Sequence, residues 1–206
     1  VNNVGGFAVG ENWDSNAGTL KWWVDATGRT SSAFDFACYY AMDRAFDNNN
    51  LAELQNSDML WKRDAYKTVT FVANHDTDII WNKLLAYAYI FTHEGIPCIF
   101  YRDYEEWLDK NKMNNLIWIH RNKVSGSTSI LYSDNDEYLA RRNGSPGIVV
   151  YINNSSSWQE RWIQTNWAST RIKDYTGHSS WQPVTQGDKW VKIQAPPKSY
   201  TIWSKV

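Results

Sequence analysis

Thr68–Tyr101 reads TVTFVANHDTDIIWNKLLAYAYIFTHEGIPCIFY, and its pattern changes period twice. Thr68–Ala73 is a short β-branched and apolar run, which predicts a strand. Polar NHDT follows, and then Ile80, Leu84 and Ala88 recur at helical spacing, with Thr77 or Asp78 as N-cap and Gly95 as the end signal. Cys98–Tyr101 is apolar again and predicts the next strand. A strand, a helix and a second strand in this order make one crossover unit of a parallel sheet. Working outward, Phe7–Val9 and Ala33–Ala37 read as two earlier strands. They are followed by helices near Asn16–Val24, with Asp14 or Ser15 as cap, and near Tyr39–Phe46; a last helix is expected near Asn111–Asn122. Residues 1–124 thus hold four βα units.

Beyond residue 127 the period becomes two. Ser129–Tyr132, Tyr138–Arg142, Gly147–Ile152, Arg161–Gln164, Thr170–Asp174, Lys189–Ile193 and Tyr200–Trp203 read as strands between turn-rich connectors such as NGSPG, NNSSS and APPKS. Residues 127–206 are expected to form an antiparallel β-sandwich, separated from the first segment by the linker VSGST near Lys123–Thr128.

The chain has 206 residues, 43% of them hydrophobic and 16% aromatic, enough for one sizeable core or two small ones. A net charge of -1 gives no electrostatic reason to expect nucleic acid or an acidic membrane as partner. No apolar run is long enough to span a bilayer as a helix, and VNNVGGFAVG lacks the pattern of a signal peptide. Localisation stays open. Cys38 and Cys98 lie on separate apolar segments without metal-ligand spacing, which favours two buried thiols over a disulfide. Asn143, Asn153 and Asn154 open glycosylation sequons that matter only in a suitable compartment. The thirteen tryptophans are the compositional outlier: indoles stack on sugar rings and also fill cores.

In a parallel barrel the reactive groups stand where strands end and loops enter the helices. Glu11, in FAVGENWD, and His75 with Asp76, in FVANHDT, occupy such positions two strands apart. A carboxylate pair flanking one bond is what glycosidic cleavage requires, one group to protonate the leaving oxygen and one to attack or to stabilise positive charge. The plain structural alternatives are a solvated loop acid for Glu11 and a helix-capping pair for His75 and Asp76.

Both motifs resemble the later catalytic motifs of the α-amylases of glycoside hydrolase family 13. GENWD is similar to the family's acid/base segment, with Asn12 where an aromatic or aliphatic residue is usual; FVANHDT is similar to the segment carrying a substrate-binding histidine and a stabilising aspartate, with Ala73 in place of the common aspartate. AFDF at 33–36 and GIPCIFYRDYEEWL at 95–108 extend the likeness, which is to archaeal and plant-type members, with FVANHDTDIIWNK and FYRDYEEWL pointing to the archaeal group. The resemblance implies a fold made of the second half of a TIM (β/α)8 barrel, strands 5 to 8, followed by the antiparallel domain. It implies Glu11 as general acid/base, Asp76 as transition-state stabiliser and His75 as a sugar-hydroxyl ligand. Trp13, beside the acid, would line the cleft or pack on the barrel rim. Trp61 falls where plant members hold starch on two neighbouring tryptophans, of which one is present.

The family's nucleophile is an aspartate in a D-x-x-R-x-D-A motif on the fourth barrel strand, and no such motif occurs. RDAYK at 63–67 imitates part of it, but Asp64 precedes the strand that leads to His75 and so falls at the wrong end. Half a barrel would leave apolar edges to be covered by an amino-terminal amylase half or by self-association. Calcium, expected in the complete family enzyme, has no assignable ligands here, and the family leans toward an extracellular setting. Three readings stand: a portion of a retaining α-amylase acting on starch, glycogen or maltooligosaccharides with a complementing chain; a non-catalytic glucan-binding remnant; or a self-sufficient hydrolase using Asp14, Asp78 or Asp103 as nucleophile. Adjacent Trp22 and Trp23 on one helix are expected to differ, one buried and one partly exposed.

Overall fold

The computed structural model describes residues 6–206, so the first five residues of the 1–124 segment lie outside it. Strand β1 (Val9–Gly10) leads to helix α1 (Ala17–Ala26), and β2 (Ser32–Phe34) leads to α2 (Phe36–Asp47). Short helices α3 (Ala52–Asn56) and α4 (Leu60–Arg63) and a 3-10 turn at Ala65–Lys67 intervene before β3 (Thr68–Phe71). Helix α5 (Lys83–Thr92), β4 (Ile96–Cys98), a π-helical turn at Asp103–Trp107 and α6 (Lys110–Lys123) complete this part. The four strands form one parallel sheet in the order β1-β2-β3-β4.

These strands are two to four residues long; β1 ends one residue beyond the Phe7–Val9 run, and β2, β3 and β4 stop earlier than the apolar runs that predict them. Ala33–Ala37 is cut at Asp35, whose carboxylate accepts the Cys38 amide and opens α2 two residues after the strand ends. Cys98–Tyr101 likewise shifts back to Ile96–Cys98, because Tyr101 already enters a helical turn. The caps differ as well. Asn16, rather than Asp14 or Ser15, accepts the Gly18 and Thr19 amides at the start of α1. Residues 77 and 78 do not cap α5, which starts five residues later, because Asp47 accepts the Trp81 and Asn82 amides and holds this stretch as a loop. Gly95, at φ +97, occupies a backbone region that only glycine enters freely.

Side chains follow the strand period. Ala33 packs with Leu20, Val24 and Leu60 on the α1 side, and Trp23 of α1 lies so close to Gly10 that a Cβ there would sit 2.1 Å from the indole. Trp23 is half-buried while Trp22 is exposed. Phe36, Tyr39, Met42, Phe71, Tyr87 and Tyr89 belong to the main core between sheet and helices.

The remaining chain forms β5 (Thr128–Ser133), β6 (Glu137–Arg142), β7 (Val149–Asn153), β8 (Gln159–Gln164), β9 (Ile172–Asp174), β10 (Trp190–Ala195) and β11 (Ser199–Lys205). Each matches one of the expected period-two segments to within a few residues. Five make an antiparallel sheet, β5-β6-β7-β11-β9, and β10 pairs with β8 in a ribbon. Leu139, Tyr151 and Trp203 face Ile163, Val191 and Ile193 of the ribbon. Alternate residues Tyr138, Val150, Ile152 and Ile202 join the main core against α2 and α5. The larger sheet is therefore covered on both faces, and at about 25 cal/mol per Å² this burial is a principal adhesive. Polar contacts close the seam: His93 bonds Tyr138 at 2.8 Å, Arg142 donates to the Thr92 carbonyl at 3.0 Å, and Glu94 accepts the Thr128 amide at 2.7 Å.

Candidate active site

The loops after β1 and β3 meet on one rim of the parallel sheet. Glu11 follows β1 directly, and Asn74, three residues past β3, points its amide nitrogen at the Glu11 carboxylate across 3.5 Å. Asn74 also organises its own loop. Its side-chain oxygen accepts the Asp76 and Thr77 amides at 2.9 and 2.8 Å, a turn that presents His75 and Asp76 outward. His75 Nε2 then lies 3.2 Å from Asp76. A second brace comes from Tyr39 of α2, whose hydroxyl meets Thr77 at 2.8 Å and accepts the Ile79 amide at 3.0 Å. Glu11, His75 and Asp76 are all exposed and share a surface, which leaves them open to an incoming ligand. The capping alternative for His75 and Asp76 does not describe this loop, since α5 begins beyond it.

Two clefts flank the rim. One, of about 310 Å³, is lined by Asn74–Asp78 with Phe100, Tyr101, Arg102 and Trp107. The other, of about 460 Å³, lies along Trp13, Asp14, Tyr40 and Arg44. Trp13 stacks on Phe36 with centroids 4.9 Å apart and donates its indole N–H to Tyr40 at 2.8 Å, yet it keeps nearly half of its surface exposed. It is thus both packed on the rim and open to the cleft. A larger cavity, about 600 Å³, sits at the opposite strand ends, where Arg142 and Glu94 are already committed to Gly126, Thr92 and Thr128.

Trp61 requires a correction. Only 7% of it is accessible; its indole N–H donates to Met59 sulfur at 3.1 Å, and its ring packs edge-on against His93. A ring enclosed in this way has no face for a sugar, so the surface-site expectation for Trp61 is withdrawn. Its backbone amide, with that of Leu60, is held by Asp35, a fully buried carboxylate accepting three N–H groups. Burial raises the Asp35 pKa to about 6 against the pull of those amides.

Four other aspartates are occupied. Asp78 and buried Asp103 share Lys83, each at 2.5 Å, and Asp103 also accepts the Tyr87 hydroxyl at 2.7 Å. Asp14 accepts the Asn16 amide in the turn before α1. Asp64 precedes β3, away from His75, and is clamped by Arg29 at 2.5 and 3.2 Å. Cys38 and Cys98 are both free thiols, the first buried and the second half-buried. Among the described residues no group of three or more His, Cys, Asp or Glu is placed to hold a metal ion.

With the site in view, the comparisons decide the kinship. Residues 148–204 match the profile of the α-amylase C-terminal domain. The α-amylase of Geobacillus stearothermophilus is 27% identical across 96% of this chain. The chain is related to the carboxyl-terminal portion of the α-amylases of glycoside hydrolase family 13. A probable α-amylase 2 of Arabidopsis thaliana is 35% identical over 51% of the chain. An Anoxybacillus α-amylase structure superposes over 97% of the chain with a TM-score of 0.76, and its 19% identity speaks to fold alone. The chain spans 40% and 28% of the two relatives and 52% of the Anoxybacillus protein.

Asn74 and Tyr39 were not singled out by sequence reasoning. An Asn two residues before an Asp in a polar loop is an Asx-turn signal that was available for Asn74; nothing local signals Tyr39, whose partners lie 38 and 40 residues away.

Proposed function

We propose that these residues form the acid/base side of a retaining α-amylase active site that cleaves internal α-1,4 bonds of starch, glycogen or maltooligosaccharides. The observation that carries the reading is the Glu11–Asn74 contact, which joins the loops of the two motifs around one rim. In this scheme Glu11 protonates the departing glucan oxygen and then deprotonates the incoming water, as retention demands of one residue in turn. Asp76 faces the positive charge that develops at the sugar, His75 bonds a sugar hydroxyl, and Trp13, nearly half exposed, meets a neighbouring ring. The parallel sheet, in residues 1–124, serves as strands 5 to 8 of a (β/α)8 barrel, and residues 127–206 as the C-terminal domain.

The nucleophile is assigned to a carboxylate outside residues 1–206. Asp14, Asp64, Asp78 and Asp103 each already serve a local bond network, Asp14 with the Asn16 amide, Asp64 with Arg29, and Asp78 and Asp103 with Lys83. An amino-terminal amylase segment that completes the sheet fits this need, because a second copy of the same chain would bring the same carboxylates.

Leaving-group dependence tests the roles. In the complemented enzyme Glu11→Ala should lose roughly 10²–10⁴-fold in kcat/KM on an ordinary maltooligosaccharide and much less in kcat/KM on one with an activated leaving group that needs no proton, while kcat falls for both because the second step still lacks its base. Asp76→Asn should lose activity on both. Equal kcat/KM losses for the two substrates in Glu11→Ala would remove Glu11 from the acid role. The alternative, a non-catalytic glucan-binding remnant, is supported by the exposed tryptophans and predicts glucan binding with no turnover under any complementation.

A further inference from the structure

The ribbon formed by β8 and β10 alternates strictly. Ile163, Val191, Ile193 and Ala195 point into the core, so the opposite face needs no apolar residue for folding. That face nevertheless carries Trp162 and Trp190, and Trp158 continues it one residue before β8. They are 55%, 40% and 50% exposed. Buried Trp167 and Trp203 donate their indole N–H groups to Pro146 and Thr201. The three outward indoles donate to nothing among the described residues, and none of them stacks on another ring.

We infer that this outer face is a second α-glucan-binding platform, separate from the rim that carries Glu11. The inference rests on the reading of the chain as part of a glucan-cleaving enzyme. Trp162 lies opposite Lys192 and Trp190 opposite Gln164 in the antiparallel register. From Trp158 to Gln164 the strand advances roughly 20 Å at about 3.4 Å per residue, a length suited to several linked sugar rings rather than one. A sugar ring offers an apolar C–H face for stacking and a rim of hydroxyls. Here the indole faces and N–H groups answer the first and part of the second, and Gln164 and Gln194, whose amide nitrogens donate to Asp188 and Ser179, add their side-chain carbonyl oxygens as acceptors. The charges on this face cancel, since Lys192 is paired with Glu160, which suits an uncharged polymer. A protein partner would be expected to meet a continuous apolar patch, and this face interleaves aromatic with polar positions.

Adsorption of the purified protein to insoluble starch granules, with cellulose as the β-linked comparison, tests the platform. The Trp162→Ala/Trp190→Ala variant should bind granules about tenfold more weakly or worse, the scale of losing anchoring tryptophans, with an unchanged circular dichroism spectrum. Trp162→Gln and Trp190→Gln singly give the same comparison should the double variant unfold. Glu11→Ala should adsorb as the wild type does. Granule binding by the tryptophan variants at wild-type strength overturns the inference, as does equal binding to cellulose. A light-scattering mass that halves in the variants with granule binding intact overturns it in favour of an interface between copies. The two readings fail separately: intact adsorption in the tryptophan variants, beside a Glu11→Ala chain that is inactive where the wild-type chain is active on complementation, sinks only the platform, whereas lost adsorption beside a complemented Glu11→Ala enzyme of full activity sinks only the active-site assignment.

Discussion

Acidification should weaken the seam between the helices and the β-domain through one histidine. His93 closes α5 and is fully buried against Trp61, Tyr89 and Tyr138. Its Nδ1–H donates to the Tyr89 carbonyl at 2.8 Å, which leaves Nε2 to accept the Tyr138 hydroxyl at 2.8 Å. Burial pushes its pKa down to about 3, helped by the positive charges of Arg142 and Lys62 and opposed by the Tyr89 carbonyl. An unfolded chain keeps the ordinary value of about 6.5 and takes up a proton that the folded chain refuses. The stabilisation is complete above pH 6.5 and is lost as pH falls toward 3. Two and a half pH units at about 1.4 kcal/mol each give a loss of about 3 kcal/mol at pH 4. His93→Gln retains a donor and an acceptor but does not titrate. In urea denaturation the variant should be less stable by about 1–2 kcal/mol at pH 7, for lost packing and bonds. The difference should shrink or reverse by pH 4. Stability curves that stay parallel from pH 7 to pH 4 would refute the assignment of this slope to His93.

Asp35 titrates in the other direction. Its raised pKa of about 6 means that its contribution is complete below the ordinary 3.8 and is lost as pH rises through 6, by up to about 3 kcal/mol. Asp35→Asn should remove that dependence and cost about 1–3 kcal/mol at low pH, because an amide N–H₂ would face one of the three backbone N–H groups; the same urea series reads both. Asn74→Ala should leave urea stability nearly unchanged while lowering kcat/KM of the complemented enzyme roughly tenfold or more, since the loop bearing His75 and Asp76 loses its turn. Trp61→Ala should cost about 3–5 kcal/mol as a core truncation and leave starch adsorption per folded molecule unchanged; a selective loss of adsorption would restore a glucan-holding role to Trp61.

The antiparallel half was legible strand by strand because each strand shows a period of two that no helix imitates, as in Tyr138–Arg142 and Arg161–Gln164. Parallel strands read less sharply. Their apolar runs continue into the loops, so Ala33–Ala37 and Cys98–Tyr101 were set in the right places with the wrong ends. The late start of α5 was hidden, since the groups that hold residues 77–82 as a loop, Tyr39 and Asp47, come from another helix. Trp61 illustrates the same limit: its motif position argued for a surface, and its burial follows from Asp35, Met59 and His93, which only the tertiary structure assembles. Glu11, His75 and Asp76 were legible as polar residues ending apolar runs, whereas the bridge between their loops depends on the rotamer of Asn74.

Hydrolysis of a chromogenic maltooligosaccharide by the purified chain, alone and mixed with the amino-terminal half of a related α-amylase, bears most directly on the shared active site. Activity that appears only in the mixture and disappears with Glu11→Gln is the predicted result. Turnover by the chain alone that survives Glu11→Gln would contradict it.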